Sequence, residues 1–477
     1  MNLRFHYAGF GVLLLCLAVF ALTASGHYGG DGLFIFETAE SLVLDGSVQI
    51  GARKHQWPVE FASGHAAGRE AAVSKYDIGM VLAEIPLYAL GHGIAQAFSP
   101  RWHDAIAMLV TSMSNVWISA VAVWMFYILL RRASLSTRAA LAWSIGLAFA
   151  TPVWVYAKTG FREPLCMLFL IGVLHALWIH PNSSRHWRHS GLCLGFCAGG
   201  LMATRLSLAP VAALAAFMWV RALWLSHEKC GWPLLWAAAP GCLWIFIMGA
   251  YNWARFGSAW DFGLAADATG FTQPWWLGFW GMLGSTGKGL WAYAPLSILG
   301  VIALPAFARR YKDLAVFAVL AVLLSLLLHA RFSGWTGGHG WGPRYAIFLL
   351  PLFLLSAASG WQGLGSPRKR AAVILGIGLG ALIQIPSVLL NFSRFVNLVQ
   401  WHNLGDDVFN PLLSAIVGNG LLLRSALQNL AYGHHSTWTL LSVQNHNYIF
   451  HDLRVLDLTP WPVWDLWWLH AVKILGS

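Results

Sequence analysis

Long apolar runs dominate this chain, and short polar segments separate them. A run of about 17–25 apolar residues is long enough to cross a lipid bilayer as a helix. Eleven runs approach or reach that length, and they lie at 8–24, 105–130, 139–157, 164–180, 190–204, 207–223, 232–252, 291–308, 314–330, 345–360 and 371–390. The pattern predicts an all-α polytopic membrane protein with about 11 transmembrane helices. The first run is also compatible with a cleaved signal peptide, but the apolar chain that follows favours a membrane helix.

A further apolar segment, Val81–Ala97, is interrupted by Glu84, Pro86 and His92. Its placement is decided by the basic clusters that flank short connections, since such clusters collect on the cytoplasmic side. These clusters are Arg131, Arg132 and Arg138; Arg185 and Arg188; Arg309, Arg310 and Lys312; and Arg368, Lys369 and Arg370. All of them face the cytoplasm only if Val81–Ala97 lies in the interface. We therefore predict an interfacial helix here, a cytoplasmic N-terminus and an external C-terminus.

Composition supports the membrane class and removes a nucleic-acid partner. The chain is 58% hydrophobic and 10% charged, whereas soluble proteins average about 25% charged residues. The net charge of +11 divides into +12 on the predicted inner side and −1 outside. The excess is thus a signal for orientation. The six cysteines fall in apolar runs or an inner connection, so no disulfide framework is predicted.

This topology divides the chain into two parts. Residues 1–392 form a transmembrane module whose first outer loop spans about 27–104 and contains a second short interfacial helix, Phe34–Asp45. Residues 393–477 form a periplasmic tail. Tryptophans at 461, 464, 467 and 468 favour docking of the tail on the membrane interface, with sugar stacking as the alternative.

The ionisable residues of the outer loops lie close to helix ends. Asp31 stands between glycines just after the first helix, as an N-cap or as a reactive carboxylate. Lys75, Tyr76 and Asp77 precede Val81–Ala97, and Arg162-Glu163-Pro begins a later helix, where a structural role for the acid at the helix dipole is equally adequate. Arg205 interrupts an apolar stretch, which is costly in a membrane. Lys288 follows Gly-Ser-Thr-Gly, and Trp335, His339 and Arg344 share one glycine-rich loop.

These segments together resemble the bacterial C-type glycosyltransferases that use polyprenyl-phosphate sugars, including the protein-mannosyltransferase and aminoarabinose-transferase group. The resemblance covers most of the chain. It rests on Gly-Asp31-Gly, Lys75-Tyr-Asp-Ile-Gly, Thr-Pro-Val-Trp-Val-Tyr-Ala with Arg162-Glu163-Pro, Thr-Arg205-Leu-Ser, Tyr-Asn-Trp-Ala-Arg255-Phe-Gly-Ser, Gly-Ser-Thr-Gly-Lys288-Gly-Leu and Trp-Gly-Pro-Arg344-Tyr. The family's relatives typically carry Asp-Glu where this chain has Asp31-Gly32, so Asp31 carries over and the paired Glu does not.

The resemblance implies a hexosyl- or pentosyltransferase of the bacterial inner membrane with its active site facing the periplasm. Asp31 would be the general base, assisted by Glu163 or Asp77. Lys75, Arg205, Lys288 and Arg344 would bind the donor phosphate, and Tyr76, Asp77, Arg162, Trp335 and His339 would line the substrate pocket. The partners would be the polyprenyl-phosphate donor, membrane lipids and a glycan, lipid or protein acceptor. We expect neither a metal nor another cofactor.

Two other functions stay open at this stage. A flippase or transporter of lipid-linked saccharides would favour ionisable residues in broken mid-membrane helices and duplicated halves, which the sequence does not show. An O-antigen ligase or polymerase would take a pyrophosphate-linked donor, and the sequence separates it poorly from a monophosphate-dependent enzyme. The sequence does not indicate the sugar, the acceptor, the anomeric outcome or the oligomeric state.

Overall fold

A computed structural model describes residues 3–26, 30–50, 72–178, 184–226, 231–263, 270–361, 366–401, 403–432 and 464–469. Parts of the predicted first outer loop and of the predicted tail, including Trp461, lie outside these ranges. Within them, regular structure is helical, with isolated β-bridges at Gln49–Val73 and Leu390–Trp464. The predicted all-α class is confirmed for the described part of the chain.

The helices follow the apolar runs along the chain. Their bounds are α1 Leu3–Leu22, α2 Asp31–Asp45, α3 Ile78–Ala95, α4 His103–Ser112, α5 Ser114–Arg132, α6 Thr137–Phe149, α7 Val153–Tyr156, α8 Glu163–Leu177, α9 Ser184–Thr204, α10 Ala209–Leu225, α11 Gly231–Phe256, α12 Trp275–Gly284, α13 Leu290–Tyr293, α14 Ile298–Arg310, α15 Lys312–Ala330, α16 Leu350–Gly360, α17 Pro367–Leu389, α18 Arg394–Trp401 and α19 Ala415–Tyr432. Short 3₁₀ helices occupy Pro100–Trp102, Leu206–Leu208, Pro295–Ser297, Arg344–Leu349 and Pro411–Leu413.

Six helical stretches among the described residues are long and apolar enough to cross a membrane. They are Ile78–Ala95, Pro100–Arg132, Leu206–Leu225, Gly231–Phe256, Lys312–Ala330 and Pro367–Leu389. Shorter apolar helices, such as Glu163–Leu177, accompany them. Helix α3 falls in the first group, so length and composition alone do not distinguish a spanning from an interfacial helix there. The interfacial placement of Val81–Ala97, the count of eleven spans and the orientation stay predictions.

Large apolar side chains cover the outside of several of these helices. On α11, Trp232, Phe246 and Trp253 are each more than 60% exposed. Contiguous apolar surface of this kind is rare on soluble monomers and is expected where lipid is the solvent. Most of the buried apolar side chains form one continuous cluster in which α9 packs against α8 and α11, and α1 packs against α5.

The predicted short helix of the first outer loop is present as α2, which begins at Asp31. The residue that precedes it, Gly30, has φ 55°, a conformation that glycine adopts without steric cost. Gly32 lies directly against the backbone of Gly160, where an added Cβ would stand 2.8 Å from the Gly160 Cα. This close approach leaves no room for a glutamate after Asp31 and brings α2 to the loop that precedes α8.

Candidate active site

The guanidinium of Arg344 lies between two carboxylates from distant parts of the chain. Its Nη2 is 2.5 Å from Oδ2 of Asp31, and its Nε donates to Oε1 of Glu163 at 3.0 Å. Glu163 is fully buried, whereas the side chain of Asp31 is 28% exposed. The structure therefore brings together three predicted site residues and leaves Asp31 as the accessible acid of the pair.

Arg205 extends the network on the far side of Glu163. Its Nη2 donates to the same Oε1 at 2.7 Å, and its guanidinium stacks 4.8 Å from the centre of the Tyr345 ring. Two polar atoms of this pair, Nη1 of Arg205 and Oε2 of Glu163, are buried without a hydrogen-bond partner among the described residues. Unpaired buried polar atoms are uncommon and costly, so these two require an explanation.

A second ion pair borders the first. Nη1 of Arg162 lies 3.2 Å from Oδ2 of Asp77, and the same oxygen accepts from the backbone N–H of Leu206 at 3.2 Å. The guanidinium of Arg162 stacks 4.8 Å from the Tyr76 ring centre. Burial raises the pKa of Asp77, and the nearby arginines oppose that change. Asp77 therefore pairs with Arg162, and Glu163 is the acid that shares Arg344 with Asp31.

The electrostatic environment keeps Asp31 ionised. Burial acts to raise the pKa of this carboxyl, but the Arg344 charge, the hydrogen bond from Tyr76 and the charge of Arg162 together lower it to about 2. Burial and the adjacent Asp31 charge raise the pKa of the Tyr76 hydroxyl. Tyr76 therefore remains a neutral hydrogen-bond donor to an anionic Asp31.

The segment that carries Tyr76 and Asp77 is held from behind by Arg255 of α11. Nη1 of Arg255 donates to the carbonyls of Ser74 and Tyr76 at 2.8 and 3.1 Å, while Nη2 donates to Oδ1 of Asn252 at 2.6 Å. Arg255 is fully buried, so it positions this segment and does not face a substrate. Lys75 lies at the edge of the cluster, with Nζ 5.8 Å from the Tyr76 ring centre.

Lys288 lies beside the cluster but its ammonium holds the backbone of the glycine-rich loop. Nζ donates to the carbonyls of Gly338 and Gly340 at 2.6 and 2.8 Å, and the side chain is buried. Burial lowers its pKa to about 8. Lys288, which the sequence predicted as a phosphate ligand, thus also fixes the loop that ends at Arg344.

The remaining two predicted pocket residues lie in this same loop. Trp335 is buried against α12, where Gly281 leaves space for its ring. His339 is exposed. Partial burial and the Lys288 charge lower the pKa of His339, and its hydrogen bond with Asn397 opposes that change. His339 and Asn397 thus join the glycine-rich loop to α18.

The structure adds neighbours that the sequence pattern did not single out. His329, at the end of α15, stacks on Tyr345 with ring centres 4.7 Å apart and pairs its Nε2 with the hydroxyl of Ser207. The ring of Phe161 lies 4.1 Å below the Arg344 guanidinium. A histidine at the outer end of an apolar run was a usable signal for His329; no spacing rule relates Phe161 to Arg344.

Comparison with solved structures identifies the architecture. The chain aligns with ArnT from Cupriavidus metallidurans in the structure bound to undecaprenyl phosphate, with a TM-score of 0.50 and 13% sequence identity over 97% of this chain and 88% of that one. The apo form of the same protein aligns with a TM-score of 0.50 and 15% identity over 88% of this chain and 73% of that one. The two proteins share one fold. The fold that the sequence resemblance implied, that of a C-type membrane glycosyltransferase, is confirmed.

No family model and no curated protein matches the chain significantly in sequence. Among the described residues, no group of three or more His, Cys, Asp or Glu side chains is arranged to hold a metal ion.

Proposed function

We propose that this protein is an integral membrane glycosyltransferase that moves one hexosyl or pentosyl group from a polyprenyl-phosphate donor to an envelope acceptor. The acceptor is a glycan, a lipid or a protein, and the reaction takes place at the periplasmic face of the bacterial inner membrane. The observation that carries the proposal is the network of Asp31, Arg344, Glu163 and Arg205, because it combines an accessible carboxylate with an arginine that lacks one partner.

The two unpaired atoms of the network match the two halves of such a donor. Nη1 of Arg205 needs an acceptor, which a phosphate oxygen supplies as a charge-assisted hydrogen bond. Oε2 of Glu163 needs a donor, which a sugar hydroxyl supplies. A phosphate-linked sugar would satisfy both atoms once the network, which encloses them in the ligand-free structure, opens to admit it. That ArnT of the same fold was crystallised with undecaprenyl phosphate supports a polyprenyl-phosphate lipid as the carrier.

The reaction then follows from the positions of the charges. The carboxylate of Asp31 takes the proton from an acceptor hydroxyl as its oxygen attacks the anomeric carbon. The bond between that carbon and the phosphate oxygen breaks, and the polyprenyl phosphate leaves with the electron pair. Arg344 and Arg205 offset the negative charge that develops on the leaving group. Lys75 and Lys288 add positive charge at the edge of the site, and a single displacement of this kind inverts the anomeric configuration.

Phosphate binding also prepares the base. In the ligand-free state the Arg344 charge lowers the pKa of Asp31 to about 2, against the effect of burial, which makes the carboxylate a weak base. An anionic phosphate that shares Arg344 weakens this effect and raises the pKa of Asp31 towards its ordinary value near 4. The base thus gains strength only when the donor is present.

The flippase alternative has less support. Transporters place ionisable residues in broken helices near the middle of the membrane. Here Asp31, Glu163 and Arg344 are the first residues of their helices, and Arg205 lies between helices. An O-antigen ligase or polymerase uses a donor linked through pyrophosphate, which would bring a second phosphate to the site. Such a donor is one of the substrates in the transfer assay.

The test is transfer by the purified protein in lipid nanodiscs, with undecaprenyl-phosphate hexoses and pentoses and one undecaprenyl-pyrophosphate oligosaccharide offered in parallel. Deletion of the gene identifies the acceptor, because mass spectrometry of the envelope should show one glycan or glycoprotein that lacks one sugar. Release of sugar from a monophosphate donor is the expected result. In sealed proteoliposomes, movement of intact lipid-linked saccharide across the bilayer without bond cleavage would favour the flippase instead.

Replacement of the base is the first prediction. Asp31→Asn should lower transfer by a factor of about 10²–10⁴, the usual contribution of a general base, while donor binding changes little. The matched control is Asp313→Asn, an exposed acid paired with Arg221 on another part of the surface. Activity of the Asp31→Asn variant within tenfold of the wild type would remove Asp31 from the role of base.

A further inference from the structure

The last described segment of the chain, residues 464–469, is built into the helical core. Trp464 forms an antiparallel bridge with Leu390, and the backbone N–H of Asp465 donates to the carbonyl of Leu389 at 2.9 Å. The N–H of Trp467 donates to the carbonyl of Ala24 at 2.9 Å. The segment therefore joins the end of α17 to the chain that follows α1.

A buried ion pair lies at the centre of this segment. Nζ of Lys158 is 2.8 Å from Oδ2 of Asp465, and the two side chains are 1% and 4% exposed. The same ammonium donates to the carbonyls of Val388 and Asp465 at 2.7 and 3.0 Å, and the hydroxyl of Ser25 donates to Oδ2 of Asp465 at 2.9 Å. One carboxylate thus ties together three segments that are far apart in the sequence.

One of those segments leads directly into the candidate active site, because the chain runs from Lys158 to Glu163 in five residues. Within it, the backbone of Gly160 lies against Gly32, the residue that follows Asp31. The side chain amide of Asn115 also holds this segment, with donations to the carbonyls of Thr159 and Phe161 at 2.6 and 2.8 Å.

We propose that residues 464–469 are a positioning element for catalysis: the Lys158–Asp465 ion pair holds the segment 158–163 where Glu163 reaches Arg344 and where Gly160 meets Gly32, next to Asp31. Asp465 and Lys158 are positioning residues and do not contact the substrate. The effect on transfer rests on the proposed function, whereas the effect on the geometry of residues 158–163 does not.

The first arm of the test measures that geometry in the full-length protein. Asp465→Asn removes the charge that Lys158 faces and keeps the shape of the side chain. Hydrogen exchange of the amides of residues 158–163 should become at least tenfold faster, while the amides of α10, Ala209–Leu225, exchange as in the wild type. Unchanged exchange at 158–163 would overturn the proposal, whatever reaction the protein catalyses.

The second arm measures transfer from the donor that the wild type uses. In Asp465→Asn, kcat should fall at least tenfold, while KM for the donor and its Kd change by less than threefold, and Asp465→Glu should restore part of the loss. Trp468→Phe is the matched control, because it removes from the same segment only the 3.0 Å hydrogen bond to the carbonyl of Leu22. A normal kcat in Asp465→Asn, despite faster exchange, would reduce the segment to a structural role and overturn the proposal.

A variant without this ion pair keeps the test decisive if Asp465→Asn does not fold. Lys158→Met combined with Asp465→Leu removes both members of the pair, which proteins tolerate better than the loss of one, and leaves Arg394, on which the Asp465 charge also acts. It should show the same loss of kcat and the same faster exchange at 158–163, and wild-type behaviour in both would overturn the proposal. If the wild type transfers sugar from no polyprenyl donor, the proposed function fails, and the exchange experiment alone decides whether residues 464–469 hold the segment 158–163.

Discussion

At the scale of single residues, one guanidinium serves two acids with different access to solvent. Arg344 contacts Asp31, whose side chain is 28% exposed, and Glu163, which is fully buried. A base must reach the proton that it takes, so exposure assigns that role to Asp31. Glu163 orients Arg344 and Arg205 through Oε1, which accepts from both guanidiniums. The two acids are therefore not interchangeable, although both bind the same cation.

The state of Asp31 leads to a pH prediction. Burial acts to raise its pKa, but Arg344, Tyr76 and Arg162 lower it to about 2 in the free enzyme. A carboxyl whose pKa is lowered keeps its ion pair above its ordinary pKa near 4 and loses it as the pH falls through about 2. The kcat/KM profile, which reports the free enzyme, should therefore show no acid limb from Asp31 above about pH 4.

The profile of kcat reports the enzyme–substrate complex, in which the donor phosphate shares Arg344. Its acid limb should lie at higher pH than that of kcat/KM by about one to two pH units, since ordinary Asp titrates near 4. Steady-state assays from about pH 3 to 8 with the same donor should show kcat falling at the acid end of this range while kcat/KM stays level. Coincident acid limbs in the two profiles would contradict the proposed release of Asp31 from Arg344.

At the scale of elements, the glycine-rich loop between α15 and α16 explains how Arg344 is placed. Gly337, Gly338 and Gly342 have φ values of 72°, 58° and 62°, a region that side chains other than glycine enter at a cost of about 1–2 kcal/mol. Lys288 holds two carbonyls of this loop. The loop is therefore a preformed support whose last residue carries the cation that both carboxylates share.

Two neighbouring glycines of this loop provide a matched comparison. A Cβ added at Gly337 would lie 2.7 Å from the Cβ of Arg344, whereas one added at Gly338 meets no atom within 4 Å. Both alanine variants bear the cost of a positive φ, but only Gly337→Ala displaces Arg344. We expect donor affinity to fall at least tenfold in Gly337→Ala and less than threefold in Gly338→Ala, as measured by titration with donor lipid. Equal losses in the two variants would show that backbone strain, and not the position of Arg344, controls binding.

The apolar pattern predicted the helices well because burial in lipid or core requires it. Each of the eleven predicted segments contains helix, but three of them are divided between two α-helices. The run 105–130 divides at Met113 between α4 and α5, 139–157 divides between α6 and α7, and 291–308 divides into α13, the 3₁₀ helix Pro295–Ser297 and α14. Both sides of each break are apolar, so hydrophobicity gives no sign of it, although Pro295 was a local signal.

The sequence predicted which charged residues belong to the site better than it predicted which of them pair with each other. The residues of the network were selected because ionisable side chains at helix ends are costly in a membrane. Their partners depend on packing, since Arg344 and Glu163 are 181 residues apart. The reason for a glycine in place of a second acid after Asp31 is visible only in the structure, where Gly32 lies against the backbone of Gly160. Asp465, 307 residues from Lys158, carried no local signal for its role.

At the scale of the whole molecule, the candidate site and the basic clusters lie at opposite ends of the helices that connect them. Helix α5 begins beside the loop 158–163, through Asn115, and ends at Arg132. Helix α15 begins at Lys312 and ends with His329 stacked on Tyr345. Helix α17 begins with Arg368, Lys369 and Arg370 and ends beside Asp465.

This arrangement sharpens the prediction of topology. Basic connections stay in the cytoplasm, so the opposite helix ends, the ion network and residues 464–469 should all lie outside. A reporter fused to the C-terminus should be active in the periplasm, and one fused into the connection near Arg309 and Lys312 should be active in the cytoplasm. The second fusion is the control for expression and insertion. Residues 464–469 donate hydrogen bonds to the carbonyls of Ala21, Leu22 and Ala24 at the end of α1. A cytoplasmic signal from the C-terminal fusion would therefore place the candidate site at the cytoplasmic face as well. That result would contradict a reaction at the periplasmic surface.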